Sequence, residues 1–541
     1  MMEETKKPKK KMKKGLKVAL IVLLVIVLLL VITATAGYFY LRSRFGGGAA
    51  SVNLTADADT VLSVTGGQLT GGTDNGVFVY LGVPYATATE RFVPAEEASW
   101  DGVFEATSYG ATAPQQSFFG GSDGQDNNCL NLNIWTNGVL DGGKRPVMVW
   151  YHGGGMTSGS ANEAQTNGRN LAAQEDVVVV TVNHRLGALA YLDLSAYGEK
   201  YAQSANVGVL DMIASLQWIH DNIETFGGDP ENVTVFGQSG GGAKVLALMT
   251  TPYAEGLLHK AINQSGATDT LGPVFSSAEM SARVSELTLQ RLNINESNLE
   301  DIQSVSFSDL NSAGTAALQQ VAEEFQIESP FGGSYSFEWM PTVDGDIIPT
   351  NPVLDDGFAE SGRNIPLLIG SNLNEWNFSM GGASQDESAV LSALRRSYGD
   401  NAEAILEAFK TAYPNVNVGN ATLLDMMLRA PLLKIAAHKA DQGGAPVYSY
   451  AMSYGAPQAV HGAEIPLIFD NTSAENEAMA AIMRAVWAQF ARTGNPSIEG
   501  LPAWEAFTRD NGAVMVLDRE SYLSQQHDTA LIALMKPGYE W

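Results

Sequence analysis

A serine becomes a nucleophile when the chain holds it in the right turn, and residues 237–241 read Gly237-Gln238-Ser239-Gly240-Gly241. This G-x-S-x-G lies between a β-branched run, Val233 to Phe236, and a helix-forming stretch, Ala243 to Met249. In that context the motif predicts a sharp strand-to-helix turn that lifts the hydroxyl clear of the sheet and aims a helix N-terminus at developing negative charge. A serine hydroxyl needs a base, and the base needs an orienting carboxylate. With such a turn the order along the chain is serine, acid, histidine. Glu375 follows the strand candidate Leu367 to Ile369, and His461 follows the strand candidate Val447 to Tyr450. Downstream of Glu375 the histidines are His438, His461 and His527. His438 sits in a helical Lys/Ala stretch and His527 near a polar C-terminal turn, so both read as surface residues. Glu464 is a rival carboxylate, but three residues after His461 it is placed to close a local hydrogen bond.

His152-Gly153-Gly154-Gly155 follows a third strand candidate, Val147 to Tyr151. Such a run lets backbone N–H groups face an incoming carbonyl oxygen. His152 itself reads as structural. His184, His220 and His259 lack metal-ligand spacing and read as packed or surface residues. No zinc, P-loop or dinucleotide signature is present, so no metal and no cofactor are expected.

These residues need a frame. Val177 to Val182 is a nearly continuous apolar run, as in a strand buried on both faces. Asp211 to Phe226 has apolar residues at threes and fours and predicts a helix stopped by Gly227-Gly228-Asp229-Pro230. Strand, turn and helix alternate, which predicts a mostly parallel sheet flanked by helices. Stretches 270–335 and 383–440 read as helical insertions in one domain. Of the 541 residues, 45% are apolar and 17% charged, which excludes a disordered or collagen-like chain. The single cysteine, Cys129, excludes an intramolecular disulfide.

The net charge of −27 hides an asymmetry. Residues 1–44 hold ten basic residues and two Glu, leaving −35 on the rest. A body so acidic repels phosphate backbones, and no nucleic-acid partner is expected. Residues 1–17 read as a basic cytoplasmic tail. Residues 18–41 are free of charge and long enough for a transmembrane signal-anchor helix, which would place the remainder outside the cell membrane. Cleavage after Ala34-Thr35-Ala36 is the alternative, giving a secreted protein. Residues 42–60 read as a flexible linker, and 61–541 as the folded domain.

From about Val61 to Leu517 the chain resembles the type-B carboxylesterases. The resemblance is carried by Phe78 to Tyr85, Cys129 to Trp135, the His152 run, Asn183-His184-Arg185-Leu186-Gly187, Phe226 to Thr234, Ser239, Val343-Asp344-Gly345, Glu375 and His461. It implies an α/β-hydrolase fold acting on small-molecule carboxylic esters through an acyl-enzyme. Ser239 would be the nucleophile, His461 the general base and acid, and Glu375 its orienter. The backbone N–H groups of Gly154, Gly155 and Gly240 would form the oxyanion hole. The family usually has Glu before the serine and Ala after it, where this chain has Gln238 and Gly240. Gly240 keeps the N–H donor on a freer backbone, which implies a less preorganised hole. The choline-binding Trp is not found between Ala113 and Cys129, where Phe118 and Phe119 occur, so a cholinesterase role is not expected. The usual disulfide is absent, because Ala113 stands where the partner of Cys129 would be, and that loop is expected to be more mobile. Neuroligin-like relatives use the same fold for adhesion, and an amidase could use the same triad. Phe331, Phe337 and Trp339 are candidates either to line a gorge or to pack.

Overall fold

The computed structural model describes residues 54–116, 124–377 and 383–541. The basic tail, the apolar stretch 18–41, most of the linker, and Phe118 and Phe119 lie outside them. Residues at the end of the expected linker are folded. Ala58–Thr60 forms a 3₁₀ turn capped by Asp57, and the Thr60 hydroxyl donates to Gly71 O at 3.0 Å, so the body begins before residue 61. Among the described residues no helix is long and apolar enough to cross a membrane.

Eleven described strands form one sheet. In chain order they are β1 (Gly72–Asp74), β2 (Val77–Pro84), β3 (Asn131–Thr136), β4 (Arg145–Tyr151), β5 (Val178–Val182) and β6 (Gly228–Gln238). There follow β7 (Lys260–Gln264), β8 (Leu367–Asn372), β9 (Val447–Met452), β10 (Val514–Leu517) and β11 (Tyr522–Ser524). Across the sheet the order is β1-β2-β3-β5-β4-β6-β7-β8-β9-β10-β11. From β5 through β10 neighbours run parallel; β1, β2 and β3 at one edge and β11 at the other pair antiparallel. The valines of β5 are all buried, as their uninterrupted apolar run requires.

Helix α1 (Val207–Asn222) begins four residues before the predicted Asp211, because Val207 and Val209 find buried partners that periodicity alone does not reveal. A short 3₁₀ turn, Ile223–Phe226, ends at Gly227, whose φ of +71° suits glycine. Helix α2 (Gly240–Thr250) begins three residues before the predicted Ala243. Three glycines are poor helix formers, yet here each permits close packing. A methyl on Gly241 would lie 2.1 Å from Tyr151 O, and one on Gly242 2.4 Å from Asn263 Oδ1. The two insertions are helical as predicted: α3 (Ala278–Arg291) and α4 (Phe307–Glu324) in the first, and α5 (Glu387–Tyr398), α6 (Ala402–Ala412) and α7 (Arg429–Gln442) in the second.

Two buried ion pairs pin this frame. Arg185, just beyond β5, grips Asp211 of α1 at 2.8 and 2.5 Å. Arg429 of α7 grips Asp528 at 3.0 and 2.7 Å and donates to Tyr450 O of β9 at 2.6 Å. Cys129 and Ala113 are both buried, and part of the loop between them lies outside the described residues.

Candidate active site

Ser239 stands where β6 stops and α2 starts, with φ +59° and ψ −127°. A non-glycine residue there is strained by about 1–3 kcal/mol, and persists because its surroundings hold it. Ser239 N–H donates to Gln264 O at the end of β7 (2.8 Å). The glycine before the motif's x residue is required by contact, since a methyl on Gly237 would meet Gly241 C at 2.5 Å. Ser239 is half-buried, and its hydroxyl bonds to no described residue.

Glu375 is fully buried just beyond β8. Its Oε1 accepts from Ser265 Oγ (2.6 Å) and Asn372 N–H (2.7 Å), and its Oε2 accepts from His461 Nδ1 at 2.7 Å. The backbone repeats the link, His461 N–H donating to Glu375 O at 2.8 Å. With the proton on Nδ1, the lone pair is on Nε2, which is buried without a hydrogen-bond partner. Burial opposes charge on the imidazole. The hydrogen bond and charge of Glu375, backed by Glu464 and Asp425, outweigh it and raise the group above its ordinary 6.5. Trp376 stacks on the same ring, centroids 4.5 Å apart at 24°.

Glu464 is not the orienter. Nor does it close the local hydrogen bond expected of it, because its carboxylate turns into the core. Oε1 accepts from Gln264 Nε2 at 3.3 Å and Oε2 from Asn372 Nδ2 at 2.5 Å. Burial and the charge of Glu375 push its carboxyl up. Two histidines expected at the surface are not there. His527 is buried, with Tyr413 edge-on at 4.7 Å, and burial pushes it down to about 4. His438 is half-buried and Nδ1 meets Leu354 O at 2.8 Å. Local polarity hid both, because the partners that bury them come from elsewhere in the chain.

The glycine run faces the serine from β4. A methyl on Gly153 would lie 3.4 Å from Ser239 Cβ, and one on Gly240 2.2 Å from Gly155 O and 2.5 Å from its Cα. Gly154 and Gly155 have φ of +90° and +61°. The N–H groups of Gly154, Gly155 and Gly240 donate to no described residue. Gly154 O is held by Ser158 N–H and Oγ, both at 3.0 Å. Behind the run, the buried Lys244 Nζ donates to His152 O at 2.8 Å, and burial pushes that amine down to about 7 against the pull of Glu163. His152 stacks on His184 at 4.9 Å, and burial holds both imidazoles well below the ordinary value, so both are structural and neutral. His220 is exposed beside Asp221, and His259 is half-buried.

Ser239 and His461 share no hydrogen bond. Their neighbours touch: a methyl on Gly462 would lie 3.8 Å from the Gln238 side chain. Catalytic hydrogen bonds are often long without substrate. Among the described residues no group of three or more His, Cys, Asp or Glu could hold a metal. Of the aromatic candidates, Trp339 is buried against Gly187 and Gly314, Phe337 is half-buried, and Phe331 is 70% exposed with its ring edge-on to Trp376 at 5.5 Å. Sequence reasoning missed Ser265, Asn372, Lys244 and Trp376. Ser265 carried a signal, since it follows a parallel strand at its carboxyl end, where sites collect.

The family model described as "Carboxylesterase family" matches residues 58–532. The chain belongs to this carboxylesterase family. It is 33% identical to the para-nitrobenzyl esterase of Bacillus subtilis (strain 168), over 85% of this chain and 95% of that one. It is 31% identical to the phenmedipham hydrolase of Pseudarthrobacter oxydans, over 85% and 95%. Among solved structures, an esterase from anaerobic Clostridium hathewayi, titled as able to hydrolyse aliphatic aromatic polyesters, superposes with a TM-score of 0.80 at 33% identity. That match covers 90% of this chain and all of the other. The fold is that of the α/β-hydrolases, and the protein is a carboxylic-ester hydrolase.

Proposed function

We propose that this carboxylesterase works by acyl transfer through Ser239. His461 Nε2 takes the hydroxyl proton as Ser239 Oγ attacks the ester carbonyl, and the N–H groups of Gly154, Gly155 and Gly240 receive the oxyanion. His461 then gives the proton to the departing alcohol, and a water repeats the sequence on the acyl-enzyme. Glu375 fixes the tautomer and steadies the imidazolium. The observation that carries this reading is a buried imidazole nitrogen without a hydrogen-bond partner, its opposite nitrogen held by a buried carboxylate, on a loop that meets the residue before a strained serine packed against the glycine run. Relatives named for para-nitrobenzyl esters and aromatic polyesters support esters with an aromatic part as substrates. Trp376 and Phe331, beside the base that protonates the leaving alcohol, suit such a part. The protein is also proposed to be exported and held at the cell membrane by residues 18–41, with an ectodomain that protease shaving of intact cells would remove.

The decisive test is Ser239→Ala with para-nitrophenyl butyrate, together with fluorophosphonate labelling of the unaltered chain. Hydrolysis should fall about 10⁴-fold or more, and one adduct should form on Ser239. Retained hydrolysis, or an adduct elsewhere, would exclude this site.

A further inference from the structure

Glu338 lies between half-buried Phe337 and buried Trp339, at the lip of the glycine run. A methyl on Gly155 would stand 3.8 Å from Glu338 Oε2, an ordinary contact distance. The side chain is exposed and joins no ion pair or hydrogen bond with a described residue. Neighbouring protein nonetheless raises its carboxyl above the ordinary range by desolvation. Gln238, next to the nucleophile, is neutral, whereas Glu375 is fully engaged behind His461.

An unpaired carboxylate there works against ester hydrolysis in general. The reaction develops negative charge between Gly154, Gly155 and Gly240, and a second negative charge nearby opposes it. The opposition disappears when the substrate brings a positive group to the carboxylate. A free carboxylate on the substrate adds to it. We infer that Glu338 is a specificity residue that favours esters with a cationic amine on the acyl chain and disfavours esters with an anionic acyl chain. This rests on the triad reading above and adds a substrate charge class to it.

The test uses three para-nitrophenyl esters of one chain length: hexanoate, 6-aminohexanoate and hemiadipate. Each is assayed with the unaltered protein, Glu338→Gln and Glu338→Lys. The cationic-to-anionic ratio of kcat/KM should exceed one in the unaltered protein. It should fall about fivefold or more in Glu338→Gln and invert in Glu338→Lys, with the differences shrinking at high salt. Hexanoate hydrolysis with the same charge ratio in all three proteins overturns the inference and leaves the triad intact. Loss of hexanoate hydrolysis and of fluorophosphonate labelling in the unaltered protein overturns both.

Discussion

The two halves of the proposed site are built from different materials. The nucleophile half is backbone. Gly237, Gly240, Gly241 and Gly242 let β4, β6 and α2 approach until a single methyl would collide, and that contact fixes Ser239 and the free N–H groups. The base half is side chain. Glu375, Ser265, Asn372, Glu464 and Gln264 form one buried hydrogen-bonded web that reaches His461 from β7, β8 and the loop after β9. A half made of backbone fails by collision, and a half made of buried polar groups fails when one donor loses its acceptor.

The largest break should come from the web. Ser265 Oγ and Asn372 N–H both donate to Glu375 Oε1. In Glu375→Gln the amide oxygen must stay with those two donors, which turns the amide NH₂ toward His461 Nδ1. Nδ1 then accepts, the ring proton moves to Nε2, and the base is in the wrong tautomer. The expected loss is about 10⁴-fold in kcat on para-nitrophenyl butyrate. A loss under tenfold would mean that Glu375 only packs.

Breaking the backbone half should cost less. Gly240→Ala restores the residue usual in the family, yet here the new methyl would meet Gly155 O at 2.2 Å. Gly155 must retreat, and its N–H with it. Gly240 is thus demanded by close approach. A drop of about 10²–10³ in kcat is expected, as for loss of one oxyanion donor, with KM changing less. Activity equal to the unaltered chain would show that the glycine run yields without harm.

The same division explains what could be read from residues alone. Gly237 to Gly241 and His152 to Gly155 are local, so the turn and the glycine run were legible as motifs, as was the mostly parallel sheet that frames them, whereas the order of strands across the sheet was not. Glu375 and His461 were legible from their places after strands. Most of their supports were not, because Ser265 reaches Glu375 across 110 residues, and Glu464 meets Asn372 across 92 and Gln264 across 200. Asp528 likewise pairs with Arg429 across 99 residues, which buries the neighbouring His527 that its own polar segment places at the surface.

The finest probe of the web is its acid outer member. His461 is raised above 6.5, so the acid limb of kcat/KM should lie above pH 6.5, activity rising as the imidazolium loses its proton. Glu464 contributes to that rise by charge alone, since its oxygens bond to Gln264 and Asn372 and not to the ring. Glu464→Gln removes the charge, at the cost of one acceptor for Gln264 Nε2 or Asn372 Nδ2, and does not touch the Glu375–His461 bond itself. The imidazolium is then less favoured, its pKa falls, and the acid limb moves to lower pH. The shift should be the smaller part of the rise, because Glu375 supplies both the hydrogen bond and the stronger charge. The plateau kcat should hold within about threefold, since the tautomer is untouched. A plateau that collapses while the limb stays put would mean that Glu464 positions the ring through Asn372, and that the web carries geometry outward as well as charge.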